Sequence, residues 1–236
     1  MSTTPDARLI VGLDLPSVAQ AEAMVERLGA AVSFYKIGLT LLAMPGGVEL
    51  AHRLRVAGKQ VFQDWKLHDI GAQVEGAARS VAAGGCDLLT VHAEPQVMRA
   101  AVGGISGGDT RILAVTVLTS LSDADLIDIG YGETAASLVE RRVRQALDCG
   151  VDGVVSSPQE AARARAMATE AGRPEFLVVT PGVRPVGSDV GDQQRIATPA
   201  DALKAGASHL VVARPIIAAA DPVAAAGAIA AEMAGV

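Results

Sequence analysis

The chain has 236 residues, of which 50% are hydrophobic and 19% charged, and its formal net charge is -6 at pH 7. That length and apolar fraction suffice for one large core, a size that α/β barrels commonly reach as a single domain, so residues 1–236 read as one domain. The acidic balance and the 3% aromatic content exclude a sequence-independent grip on nucleic acid, which needs a dense basic face or rings for base stacking.

The opening MSTTPDARLIVGLDL lacks the basic, apolar and small-residue order of a signal peptide, and no apolar run reaches membrane-spanning length, so a cytoplasmic protein is expected. Strand-length apolar runs then recur at 9–13, 34–37, 61–62, 88–91, 112–117, 153–155, 176–179 and 210–212. Helix-like segments lie between them at 17–28, 48–57, 72–82, 134–147, 158–171 and 199–205, several opening on Ser, Thr or Pro and closing on Gly. The Ala-rich tail at 218–234 reads as a final surface helix. Strands alternating with helices mean a parallel sheet, and eight of them favour a closed (β/α)8 TIM barrel over an open doubly wound sheet.

A barrel of this kind carries its chemistry at the C-terminal ends of its strands. Polar residues stand at those ends as Asp14, Lys36, Asp64 with Lys66, His92, Thr119 with Ser120, Ser156 with Ser157, and Arg184. Asp14 fits either a site or a turn cap, since Leu15-Pro16-Ser17 follows it. Lys36, inside the run Phe34-Tyr35-Lys36-Ile37, is hard to bury without a partner.

The segment Asp64-Trp65-Lys66-Leu67-His68-Asp69-Ile70 begins where the apolar run from Val61 gives out. In a strand Asp64 and Lys66 share a face, whereas Asp69 falls past the strand end and Trp65 faces the helices. Such a cluster in apolar surroundings is either a structural ion-pair network or a built active site. His92 reads as a core histidine, Ser156 and Ser157 before Pro158 as a helix cap, and His52 and His209 as packing or surface residues. Cys86 and Cys149 are far apart with no second ligand at metal spacing, so no metal site and no disulfide are expected.

Residues 180–199 are too long and too rich in Gly and Pro for a simple connector, and read as a lid or binding loop. Loops after the seventh and eighth strands of a barrel commonly hold phosphate, and here they supply Arg184, Gln193 and the turn Ala213-Arg214-Pro215-Ile216. An arginine fork matches phosphate geometry, so a phosphorylated small molecule is expected, surface ion pairs of Arg184 and Arg214 being the alternative.

Taken together, FYKIG at 34–38, the Asp-x-Lys-x-x-Asp-Ile signature at 64–70, VTVLTS at 115–120, TPGVRP at 180–185 and GDQQR at 191–195 resemble the orotidine 5'-phosphate decarboxylase family. The resemblance runs from residue 9 to residue 216. The Asp-x-Lys-x-x-Asp element alone is shared with Mg2+-dependent hexulose-phosphate synthases and ketogulonate-phosphate decarboxylases; the other segments tip the balance away from them. The resemblance implies a cofactor-free conversion of orotidine 5'-monophosphate to UMP, the last step of de novo pyrimidine biosynthesis.

By that resemblance, Asp14 and Lys36 hold the ribose hydroxyls, and Lys36, Asp64, Lys66 and Asp69 form the catalytic charge network. Lys66 stabilises and protonates the C6 carbanion, and Asp69 enters the site of the partner subunit in a homodimer. Ile70 joins the substrate contacts, Thr119 meets the pyrimidine edge, and Arg184, Gln193, Ala213 and Arg214 grip the phosphate. Three departures stand out, one of them Trp65, the only tryptophan, in place of a usual aliphatic. Ala213 replaces the family's usual Gly, so its N–H donates without strain only at negative φ. Gly71-Ala72-Gln73 replaces the usual Pro-Asn-Thr, removing the threonine of a cross-subunit contact. The alternatives are a Mg2+-dependent sugar-phosphate lyase and, if the last two departures damage the site, a catalytically silent phosphate-binding barrel.

Overall fold

Strands covered on both faces must be apolar on both, and β1 (Leu9–Gly12) is buried at every position. The computed structural model describes residues 5–105, 107–185 and 197–236. Among them β1 is followed by β2 (Phe34–Gly38), β3 (Gln60–Leu67), β4 (Leu88–His92), β5 (Arg111–Val115), β6 (Gly153–Val155), β7 (Leu177–Thr180) and β8 (His209–Val212). Each strand pairs in parallel with its neighbour in sequence, and β8 returns to β1, closing the barrel.

The helices are α1 (Val18–Leu28), α2 (Leu39–Leu42), α3 (Gly47–Val56), α4 (Gly71–Ala83), α5 (Pro95–Gly104), α6 (Asp123–Asp128), α7 (Ala135–Cys149), α8 (Ala161–Glu170), α9 (Pro199–Lys204), α10 (Arg214–Ile217) and α11 (Pro222–Ala234). Their starts are chemical. The side chains of Ser17, Thr134, Thr198 and Asp221 each accept from a backbone N–H three residues on, satisfying a donor that the helix itself leaves open.

Ser156 and Ser157 do not do this, contrary to the sequence expectation. Helix α8 starts only at Ala161, because Pro158-Gln159-Glu160 form a turn first, and both serines are buried instead.

Period-two alternation explains how the barrel builds its site. Ile10, Phe34, Phe62, Leu88, Leu113, Leu177, Val179 and Val211 cluster inside the barrel as its floor. Their neighbours Val11, Tyr35, Val61 and Leu89 belong to the clusters formed with the helices. Each buried Phe of the floor contributes about 1.5–3 kcal/mol by leaving water. Gly153 completes the floor because a Cβ there would lie 2.5 Å from Leu177 Cβ. Two residues further along six of the strands, the next inward layer holds Lys36, Asp64, Thr90, Val115, Val155 and Ala213, at the end where barrels place their chemistry.

Trp65 packs outward between α3 and α4, as its strand parity requires, and its indole N–H donates to Gln63 Oε1 at 3.0 Å. His209 packs edge-on against Phe34. Cys86 and Cys149 are free and buried. Burial pushes the Cys86 thiol up to about 12, which leaves it an inert core residue.

Candidate active site

β3 does not end where its apolar run ends: it continues through the charged residues to Leu67. Its pairing with β4 shifts between Gln63↔Leu89 and Leu67↔Val91, so Asp64, Trp65 and Lys66 stand against Thr90 alone. This is a β-bulge, and it carries Lys66 into the left-handed region at φ 50. A lysine rarely adopts that conformation, so the bulge holds backbone strain at Lys66.

The bulge brings Lys66 Nζ to 2.8 Å from Asp64 Oδ2. From β2, Lys36 Nζ reaches the same oxygen at 3.5 Å and Asp14 Oδ1 at 3.3 Å. Asp14 thus belongs to the cluster; the capping role in its loop falls to Ser17. Asp64 is 8% exposed, yet its ionised form is favoured: burial pulls its pKa up, but Lys36, Lys66 and hydrogen bonds from Lys66 and Thr90 hold it below the ordinary carboxylate value. For Lys36, burial favours the neutral amine, but Asp64 and then Asp14 outweigh it and raise the pKa. Charge in this layer is therefore kept by mutual pairing.

These side chains form one wall of a cavity of about 450 Å3, a volume suited to a small organic ligand. Phe62, Val115, Val155 and Val211 supply apolar surface, and Thr119, Pro181, Gly182, Arg184, Ala213 and Arg214 also line it. Four cationic side chains, Lys36, Lys66, Arg184 and Arg214, face two carboxylates, Asp14 and Asp64, so the cavity is locally positive in an acidic protein. Such a cavity favours an anion. Ala213 has φ -116, so replacing the usual glycine introduces no left-handed strain.

Thus Asp14, Lys36, Asp64, Lys66, Thr119, Arg184, Ala213 and Arg214 come together around one cavity. Asp69 and Ile70 do not line it in their own chain: Asp69 is exposed and its Oδ1 accepts the Ile70 N–H at 2.6 Å, while Ile70 is 65% exposed. Gln193 and most of the 180–199 loop lie outside the described residues. The loop's flanks are joined, with Val183 bridged to Ala197 and the Arg184 N–H donating to Ala197 O at 2.9 Å.

Sequence reasoning missed one hydroxyl, Thr90, and read another, Ser156, as a helix cap. Thr90 donates to Asp64 Oδ1 at 2.8 Å and accepts the Lys66 N–H at 3.0 Å, and Ser156 borders the cavity with a buried Oγ that has no hydrogen-bond partner among the described residues. Counting two residues on from inward-facing Leu88 finds Thr90, as the same step from Phe62 finds Asp64. His92 instead packs at a tilt against His68, with ring centroids 5.0 Å apart, in a side cavity that Glu94, Tyr131 and Arg142 also line. Burial, then His68 and Arg142, lower its pKa.

The model of the orotidine 5'-phosphate decarboxylase / HUMPS family matches residues 7–229. The chain belongs to this family. It is 67% identical over 233 residues to the orotidine 5'-phosphate decarboxylase of Caulobacter vibrioides (strain NA1000 / CB15N), covering 99% of this chain and 100% of that relative. Identity to the enzyme of the same name from Rhodopseudomonas palustris (strain HaA2) is 56%, over 96% of this chain and 94% of that one. The crystal structure of orotidine 5'-phosphate decarboxylase from Lactobacillus acidophilus superposes with a TM-score of 0.83 at 34% identity, covering 97% of this chain and 99% of that one. At the family's usual Pro-Asn-Thr position, α4 simply begins at Gly71, with the Gln73 N–H bonded to Ile70 O at 3.0 Å, so the departure leaves the helix start intact.

Proposed function

We propose that this chain converts orotidine 5'-monophosphate to UMP, the last step of de novo pyrimidine biosynthesis, as a cytoplasmic homodimer that uses neither metal nor organic cofactor. The observation that carries this reading is one cavity with the Lys66–Asp64 pair on its wall and Arg184 and Arg214 among its lining. The family description spans decarboxylases and HUMPS enzymes alike, while the 67% and 56% identical relatives bear the decarboxylase name. These names favour the decarboxylase over a Mg2+-dependent sugar-phosphate lyase.

Loss of CO2 from C6 leaves an electron pair in an sp2 orbital orthogonal to the ring π system, so the ring does not delocalise it. The protein then has to stabilise that pair by electrostatics. An ammonium at about 4 Å contributes about 4 kcal/mol at an effective dielectric near 20. Lys66 is the cation placed to do so. The C6–carboxylate bond breaks with both electrons left on C6, CO2 departs, and Lys66 transfers its proton to C6, leaving a neutral amine for solvent to reprotonate.

Asp64 fixes the Lys66 ammonium, and Asp14 and Lys36 hold the ribose hydroxyls. Thr119 faces the pyrimidine edge, while Arg184, Gln193, Ala213 and Arg214 take the phosphate, whose binding energy is spent on placing the ring. Lys66 also borders a second cavity of about 480 Å3, and Asp69 of the partner subunit completes the charge network, with Ile70 of the partner subunit beside the substrate.

The test is CO2 release from orotidine 5'-monophosphate before and after exhaustive chelation. Activity that survives EDTA supports the proposal. Activity lost with EDTA and restored by Mg2+ moves the chain to the metal-dependent lyases, and a folded, UMP-binding protein without turnover makes it a silent barrel.

A further inference from the structure

The bulge in β3 creates a problem that Thr90 solves. Three residues of β3 face one residue of β4, so the regular ladder has no carbonyl for the backbone N–H of Lys66. A buried donor left unmet is costly, and Lys66 is already in a left-handed conformation that its side chain disfavours. The Thr90 hydroxyl accepts that N–H at 3.0 Å. Having one proton, it must then point that proton elsewhere, and it points it at Asp64 Oδ1, 2.8 Å away.

The polarity of this relay is forced. A backbone N–H only donates, so the hydroxyl oxygen accepts there and its hydrogen is committed to the carboxylate. With Oδ1 taken by Thr90, Oδ2 turns to Lys66 at 2.8 Å and Lys36 at 3.5 Å. One fully buried side chain thus touches the backbone of the residue that carries the ammonium and the carboxylate that aims it.

We infer that Thr90 is a positioning residue for the decarboxylation, its hydroxyl setting the rotation of Asp64 and the backbone of Lys66 together. This rests on the assignment of Lys66 as the cation that meets the C6 carbanion. Thr90 is fully buried and is not among the residues that line the cavity. Its effect therefore falls on kcat, through the placement of Lys66, and leaves UMP affinity alone.

Thr90→Val keeps the shape and β-branching of the side chain and removes the relay, while Thr90→Ser keeps the hydroxyl. Thr90→Val should lower kcat by about 10- to 100-fold, the range set by a hydrogen bond to a charged group, with unchanged UMP binding by calorimetry. Asp64 faces Lys36, beyond which lies Asp14, and Lys66 and Thr90; losing the Thr90 bond removes one stabiliser of its ionised form, so the acid limb of kcat/KM should move to higher pH. Thr90→Ser should recover most of the rate and restore the limb.

Wild-type kcat and an unmoved acid limb in folded Thr90→Val overturn the inference, as does a Thr90→Ser protein no faster than Thr90→Val. If Thr90→Val fails to fold, the comparison passes to Thr90→Ser and Thr90→Ala: a fast Ser and a slow Ala support the relay, and equal rates overturn it. Lys66→Ala measured alongside separates the two readings. Turnover lost there but kept in Thr90→Val removes Thr90 alone; turnover kept in Lys66→Ala removes the assignment beneath it.

Discussion

The Lys66 ammonium lies 2.8 Å from Asp64 Oδ2, an oxygen it shares with Lys36 at 3.5 Å. With Asp14 also on Lys36, the two cations and two carboxylates of this cluster balance, and the positive excess facing the cavity comes from Arg184 and Arg214. Removing Lys66 deletes the cation nearest the proposed reacting carbon, and about 4 kcal/mol of transition-state stabilisation corresponds to about a thousandfold in rate. Lys66→Ala should therefore lose at least that much kcat while still binding UMP, because the phosphate and ribose contacts lie elsewhere. A folded variant that no longer binds UMP in a calorimeter would show that Lys66 serves affinity instead.

A second prediction concerns stability and pH. His209 packs against Phe34 under the barrel floor, and burial first, with Arg111 adding to it, lowers its pKa to about 4. An unfolded histidine titrates near 6.5, so between these values the unfolded chain holds a proton that the native chain does not, and stability falls as pH drops through that window. Between pH 7 and pH 5 the difference amounts to about 1–2 kcal/mol. Urea unfolding at both pH values should show wild type losing that much more stability than His209→Gln. Parallel losses in the two proteins would mean that His209 takes up its proton in the folded state as easily as in the unfolded one.

What the sequence disclosed and what it hid follow from the same physics. Parallel strands are buried on both faces, so runs such as Leu88-Leu89 and Ile112-Leu113 stand out as apolar, and the eight of them announce the barrel. β3 reads too short because Asp64 and Lys66 occupy strand positions with charged side chains: the backbone continues, but the apolar signal stops. Helix α5 went unnamed, although Pro95 at its first turn and buried Val97, Met98 and Ala101 mark it. Charged residues in apolar company betray the site at once, since only pairing makes their burial tolerable. Thr90 and Ser156 give no such signal, because a threonine in a strand and a serine before a proline look like ordinary local structure.

Arg214 and Arg184 border the cavity together and are proposed to bind the phosphate. A charge-assisted bidentate contact of this kind contributes roughly 1.5–3 kcal/mol, and it acts only when the ligand carries the phosphate. Arg214→Ala should lower kcat/KM for orotidine 5'-monophosphate by about 10- to 100-fold and leave the slow reaction of the unphosphorylated nucleoside nearly unchanged. Equal losses on the two substrates would take Arg214 out of the phosphate grip.

Asp69 sits past the end of β3, exposed, bonded through Oδ1 to its own backbone neighbour Ile70 and absent from the lining of its own cavity. Beside it Ile70 leaves a large apolar side chain 65% exposed, which suits an interface better than open water. If each active site takes Lys66 from one chain and Asp69 from the other, mixing Lys66→Ala with Asp69→Ala protein and allowing exchange creates heterodimers with one doubly damaged site and one intact site. Random exchange makes half of the dimers mixed, so activity should climb from two nearly dead parents to about a quarter of wild type. Native mass spectrometry reports the exchange independently of activity. Mixed dimers present in the expected proportion with activity still at the parental level would place Asp69 in the service of its own chain and break the shared-site arrangement.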